Sequence, residues 1–99
     1  MTFTEFKRTL KSASPPRGLA PALKGLWWAG KDEWDKAHKI VMDDDSREAA
    51  WVHAYLHRRE GDVGNAGYRY RQAKKPTGTG TLEKEWQAIV TALLERGND

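Results

Sequence analysis

The sequence predicts an all-α protein: two antiparallel helical hairpins, preceded by a short N-terminal helix and closed by a C-terminal capping helix. Three observations predict it. Apolar residues recur at helical spacing in segment after segment, and no alternating apolar pattern suggests a strand. Glycine, proline and capping residues separate those segments. Small and aromatic residues then recur at a fixed offset of 29 positions, as from Ala37 to Ala66 and from Gly25 to Ala54.

The first element is a short helix. Phe3, Phe6 and Leu10 share a face from Thr2 to Lys11, and Thr2 with Glu5 has the spacing of a capping box. Ser12 to Gly18, with two adjacent prolines, reads as a linker, so residues 1–18 form a short amphipathic helix with its linker and residues 19–99 the helical domain. A helix is expected from Leu19 to Ala29, with Pro21 in its first turn and Gly30 ending it. Asp32 is the expected N-cap of the next helix, which carries Trp34, Ala37, Ile40 and Val41 and runs to about Met42. Asp45 and Glu48 then match a capping box for a helix ending at Gly61. Asp62 is the expected cap of a helix from Val63 to Lys75, and the stretch from Pro76 to Gly80 reads as a loop. In the last helix, Thr81 to Arg96, Leu82, Trp86, Ile89, Val90 and Leu93 form one apolar face, and Gly97 is placed as its C-terminal cap residue.

A 99-residue chain buries only about 60–65% of its unfolded surface, so a few large side chains must supply its stability. Five Trp, three Tyr and two Phe can do so. The absence of Cys excludes disulfides and thiolate chemistry and fits a reducing compartment. No apolar run is long enough to span a membrane, and the N-terminus lacks a signal-like segment, so a cytoplasmic protein without a membrane partner is expected. Lys and Arg exceed Asp and Glu by only 17 to 14, which permits an anionic partner without arguing for one.

The repeat has a recognisable form. Ala50, His53, Ala54 and His57 stand at the positions of W-x2-L-G-x2-Y, and Ala66 with Tyr70 at A-x3-F. An earlier unit offers Gly25 and Trp28, then Ala37 and Val41. The pattern resembles the tetratricopeptide repeat from about Pro21 to Ala73, with a shorter period than the usual ~34 residues and with histidine where Leu and Tyr are typical. The resemblance implies paired helices nested through small residues and a groove formed by the first helix of each pair. The stretch WVHAYLHRREGDVGNAGYRYRQA is also similar to short uncharacterised bacterial proteins, which implies a bacterial source and no particular chemistry.

Three sets of residues are candidates for function. His53 and His57, four apart on one helix face with Glu60 three residues further on, have metal-ligand spacing, but the H-E-x-x-H pattern is absent and a structural role inside or at the edge of the hairpin interface is the favoured reading. His38, beside core Ala37, reads as a partly exposed helix residue. Arg58, Arg59, Arg69, Arg71, Lys74 and Lys75, with Tyr68 and Tyr70 between them, form a basic cluster suited to nucleic acid or another anion. Trp27 is a candidate anchor for a partner if it is exposed. No nucleophile–base pair and no cofactor motif is present. The leading expectation is a non-enzymatic interaction module that binds a protein segment or a second copy through Trp27, His53, His57 and Arg58. Anion binding by the basic cluster and a metal or small-molecule site at His53, His57 and Glu60 are the alternatives.

Overall fold

The computed structural model describes residues 1–97, and among them every regular element is an α-helix. These are α1 (Phe3–Thr9), α2 (Pro21–Gly30), α3 (Trp34–Met42), α4 (Arg47–Glu60), α5 (Val63–Ala73) and α6 (Leu82–Gly97). No helix among them is long and apolar enough to cross a membrane.

Most boundaries obey local chemistry. The Thr2–Glu5 capping box forms, Pro21 is the first residue of α2, Gly61 ends α4 with φ 89°, and Asp62 accepts from the Asn65 N–H to start α5. Two expected caps are corrected. Asp32 does not cap α3: it lies in the turn with φ 61°, and its carboxylate pairs with Arg59, while Glu33 is the N-cap without a side-chain bond. Ser46, not Asp45, caps α4 by accepting from the Ala49 N–H at 3.0 Å. Asp44 instead accepts from the Ser46 N–H, and Glu48 reaches Arg96. Helix α5 stops at Ala73, two residues early, because Lys74 turns left-handed (φ 59°) and the Lys75 N–H returns to the Tyr70 carbonyl. Gly97 belongs to α6 itself, and residues 98–99 of the expected domain lie outside the described residues.

Helix α2 pairs with α3 and α4 with α5, while α4 also packs on α2 and α3. Gly25 lets α2 and α3 close together, since a Cβ there would stand 2.7 Å from Val41 Cγ1. Ala37, Ala54 and Ala66 are likewise buried at the helix contacts. Helix α6 lies against α2 and α4, and its Trp86 indole N–H donates to the Leu26 carbonyl at 2.9 Å. Helix α1 then packs on α6, with Phe3 and Phe6 against Trp86. Phe6 shares one core with Leu26, Trp27, Val41, Val52, Leu56, Ile89 and Val90, each contributing roughly 1.5–3 kcal/mol for an aliphatic or Phe side chain. The linker is tied down as well, because Lys31 Nζ donates to the carbonyls of Leu10 and Ser12.

Candidate metal centre

Helix α4 is the spine of the site. Its packing on α3 and α5 brings one helix to each flank, and the backbones of α3 and α5 do not approach each other. The four-residue spacing of His53 and His57 stacks their rings at 4.8 Å on one face of α4. From α3, His38 reaches across and places its Nε2 2.9 Å from the Nε2 of His53. Trp34, one turn before His38, stacks on that ring at 4.7 Å and donates its indole N–H to the Leu56 carbonyl at 2.8 Å. That bond fixes the register of α3 on α4, and with it the position of His38.

The imidazoles are shielded. His53 and His57 are 4% and 6% exposed, and His38 is half-buried. Burial lowers the proton affinity of His53 first, and the charges of Arg69, His38 and His57 lower it further, to a pKa of about 4. Burial, helped by His57, also lowers that of His38, partly opposed by Glu60. Both rings are therefore uncharged at neutral pH, which is the form that ligates metal. His57 Nδ1 lies 2.7 Å from Glu60 Oε2. A carboxylate on one ring nitrogen orients the imidazole and leaves the other nitrogen free, the arrangement common behind zinc-bound histidine.

The donor set fits a metal of imidazole preference. One nitrogen from each of His38, His53 and His57 lies within 4.8 Å of the others. Zinc bonds of 2.0–2.1 Å place tetrahedral donors about 3.4 Å apart, so the His38–His53 contact needs to open by roughly half an ångström. A second group, His57, Glu60 and Asp62, is also close enough. There, however, Asp62 is engaged in capping α5 and two of the three residues are exposed. Glu60 thus serves His57, and His38 is the residue that joins His53 and His57.

The remaining candidates are dispersed. Trp27 is fully buried and donates its indole N–H to Thr9 Oγ1 at 3.0 Å, so it presents no surface to a partner. Arg58 donates to Glu85 Oε1 at 2.7 Å and to the Gly80 carbonyl, while Tyr70 donates to the other Glu85 oxygen. Burial and that carboxylate push the Tyr70 phenol up. Arg59 caps the end of α2 by donating to the Ala29 carbonyl at 2.6 Å, besides pairing with Asp32. Lys75 lies over the Trp51 ring at 4.3 Å, and Arg71 and Lys74 are exposed. Arg69 leans over Tyr68 and donates one Nη to Gln72, while its Nε is buried without an acceptor among the described residues. Of the six cations, Arg58 and Arg59 are thus held in intramolecular hydrogen bonds.

Sequence reasoning missed His38 as a member of the site. Only its helical placement was legible, because no spacing rule connects it to α4. No protein-family model, no curated protein and no solved structure matches the chain.

Proposed function

We propose that the chain is a metal-binding helical domain in which His38, His53 and His57 hold one divalent transition-metal ion, with zinc the best fit, and Glu60 orients His57. The observation that carries this reading is the convergence of three imidazoles from two helices in a shielded cluster. Nitrogen donors favour zinc, copper, nickel or cobalt over calcium and magnesium, which seek oxygen. Isothermal titration of untagged, chelator-stripped protein with zinc tests it. One equivalent should bind to the wild type, and His38→Ala and His53→Ala should both lose that binding. Bound zinc at a hundredfold excess over Kd should stabilise the fold by about 2.7 kcal/mol. No stoichiometric uptake, or equal uptake by the variants, overturns the reading.

A second observation favours a non-enzymatic interaction role beside it. The backbone of helix α5 packs on α4 alone, with Tyr70 reaching Glu85 of α6, and the helix leaves Tyr68 52% and Val63 74% exposed, with Gly64 and Arg71 also exposed on it. The paired helices and their buried small residues support a tetratricopeptide-type arrangement of α2–α3 and α4–α5, with α5 as the uncovered end. A protein segment or a second copy would then dock on α5 rather than on the first helices, which α6 covers. Sedimentation of wild type and Tyr68→Glu tests self-association; two strictly monomeric species count against the second-copy form. Nucleic-acid binding is the less supported alternative, since Arg58 and Arg59 are held in intramolecular contacts. A bacterial, cytoplasmic setting is a proposal that rests on the sequence alone.

A further inference from the structure

We infer that Arg47, Lys74, Lys75 and Arg96 hold one phosphate group, in a cavity where the start of α4 meets the ends of α5 and α6. Helix α4 packs on both α5 and α6, and the four cations line a single cavity of about 110 Å³ together with Glu48 and Trp51. That volume is well under the roughly 300 Å³ at which pockets for drug-sized ligands begin, and it suits one small oxyanion. Glu48 is the one acid in the lining, and it reaches Arg96 at 3.1 Å. The cations exceed it by three charges, as large an excess as the +3 of the whole chain. The C-terminal ends of α5 and α6 offset roughly one of these charges and the N-terminal end of α4 returns about half, so an excess of about two remains. A phosphate monoester carries about −1.5 to −2 at neutral pH. Lys74 and Lys75 follow α5 and Arg96 lies in the last turn of α6, places where a helix favours cations for its own sake. Arg47 escapes that account, because it opens α4, the end at which a helix disfavours positive charge. The side chains of Arg47 and Lys74 have no hydrogen-bond or ion-pair partner among the described residues. Lys74 is also left-handed, with φ 59°, where glycine would end α5 with less strain.

The donors suit such a group. Arg47 and Arg96 offer planar forks of N–H groups and the two lysines offer compact ammonium charges, the two ways in which side chains receive phosphate oxygens. Lys75 lies over the Trp51 ring at 4.3 Å, so that ring face is closed to a stacking base. The site therefore takes a single phosphate group and not a polynucleotide. Both free phosphate and the phosphate end of a small ester offer this chemistry.

An NMR titration of untagged, metal-free protein at low ionic strength tests the site, with inorganic phosphate, glycerol phosphate and a short single-stranded RNA as probes. Phosphate or its ester should shift the amide signals around Arg47, Lys74 and Lys75 saturably. Arg47→Gln and Lys74→Gly should each weaken that binding by about tenfold or more, while Lys39→Gln, whose charge lies outside the cavity, should leave it within about twofold. Lys74→Gly puts glycine where the backbone is left-handed, so resistance to urea should not fall in that variant. Tighter binding of glycerol phosphate than of phosphate assigns the site to a small ester, and equal binding assigns it to the free anion. Signals that do not saturate with either probe, or equal losses in all three variants, overturn the inference. RNA bound more tightly than both, with the same loss in Arg47→Gln, replaces the single group by a polyanion and overturns it as well. The protein is metal-free throughout, so each of these outcomes leaves the histidine reading untouched.

Discussion

His57 and Arg58 are neighbours on α4, yet they belong to polar clusters finished in different ways. Towards α6, Arg58, Glu85 and Tyr70 satisfy one another. Arg58 holds one carboxylate oxygen and Tyr70 the other, the Gly80 carbonyl takes a further guanidinium N–H, and Gly78 packs so closely on Glu85 and Tyr70 that any Cβ there would collide. On the flank between α3 and α5, the network is left open at one place: His38 and His53 share a hydrogen bond between their Nε2 atoms, but Arg69 Nε meets no acceptor among the described residues. Both clusters are shielded from water. The difference is saturation: a network whose donors and acceptors are all spent serves the fold, while one with capacity to spare can serve a ligand.

Removing the hub of the closed network should break the comparison most severely. Glu85→Ala leaves Arg58 and Tyr70 without their shared acceptor, and the unfolding free energy in urea should fall by about 3 kcal/mol. Zinc uptake should stay as in the wild type, because the histidines do not touch Glu85. A loss below about 1 kcal/mol would show that this network is no lock.

Acid should act on the open cluster next. The folded pKa of His53, about 4, lies below its unfolded value of 6.5. Between those values the unfolded chain binds the extra proton, so stability falls as pH falls. The contribution is complete above about pH 6.5 and is lost progressively towards pH 4, amounting to roughly 2–3 kcal/mol. Urea titrations at several pH values should give that slope in wild type and a flatter one in His53→Gln. Identical slopes would mean that His53 is not the group responsible.

Tyr70→Phe should have the smallest effect. It deletes a single hydroxyl from the closed network while Arg58 keeps Glu85, and should cost about 1–1.5 kcal/mol with no change in zinc uptake.

How far each cluster was legible depends on whether its partners are local. The Thr2–Glu5 box, Pro21 at the first turn of α2, Gly61 and Asp62 are signals contained within a few residues, and each stands where its local chemistry puts it. The pairing of His53 with His57 arises from helical spacing alone. His38 comes from another helix, and its place depends on the Trp34–Leu56 bond, a long-range contact that no pattern in α3 announces. Arg58 and Arg59 look like surface charge in the sequence because their acceptors, Glu85 and the Ala29 carbonyl, are distant in the chain. The cap of α4 slipped by one residue because Asp44, Asp45 and Ser46 are all competent cap formers, and only the backbone geometry chooses among them.

Trp34 is therefore more than a peg between two helices. Its indole lies nearly parallel to His38, with 11° between the planes, so events at that imidazole fall within the electronic reach of a natural fluorophore. A proton or a copper ion arriving there would quench its emission, and replacing Trp34 by Phe would silence that response. The domain thus carries an intrinsic optical gauge of its histidine cluster, readable without any added dye.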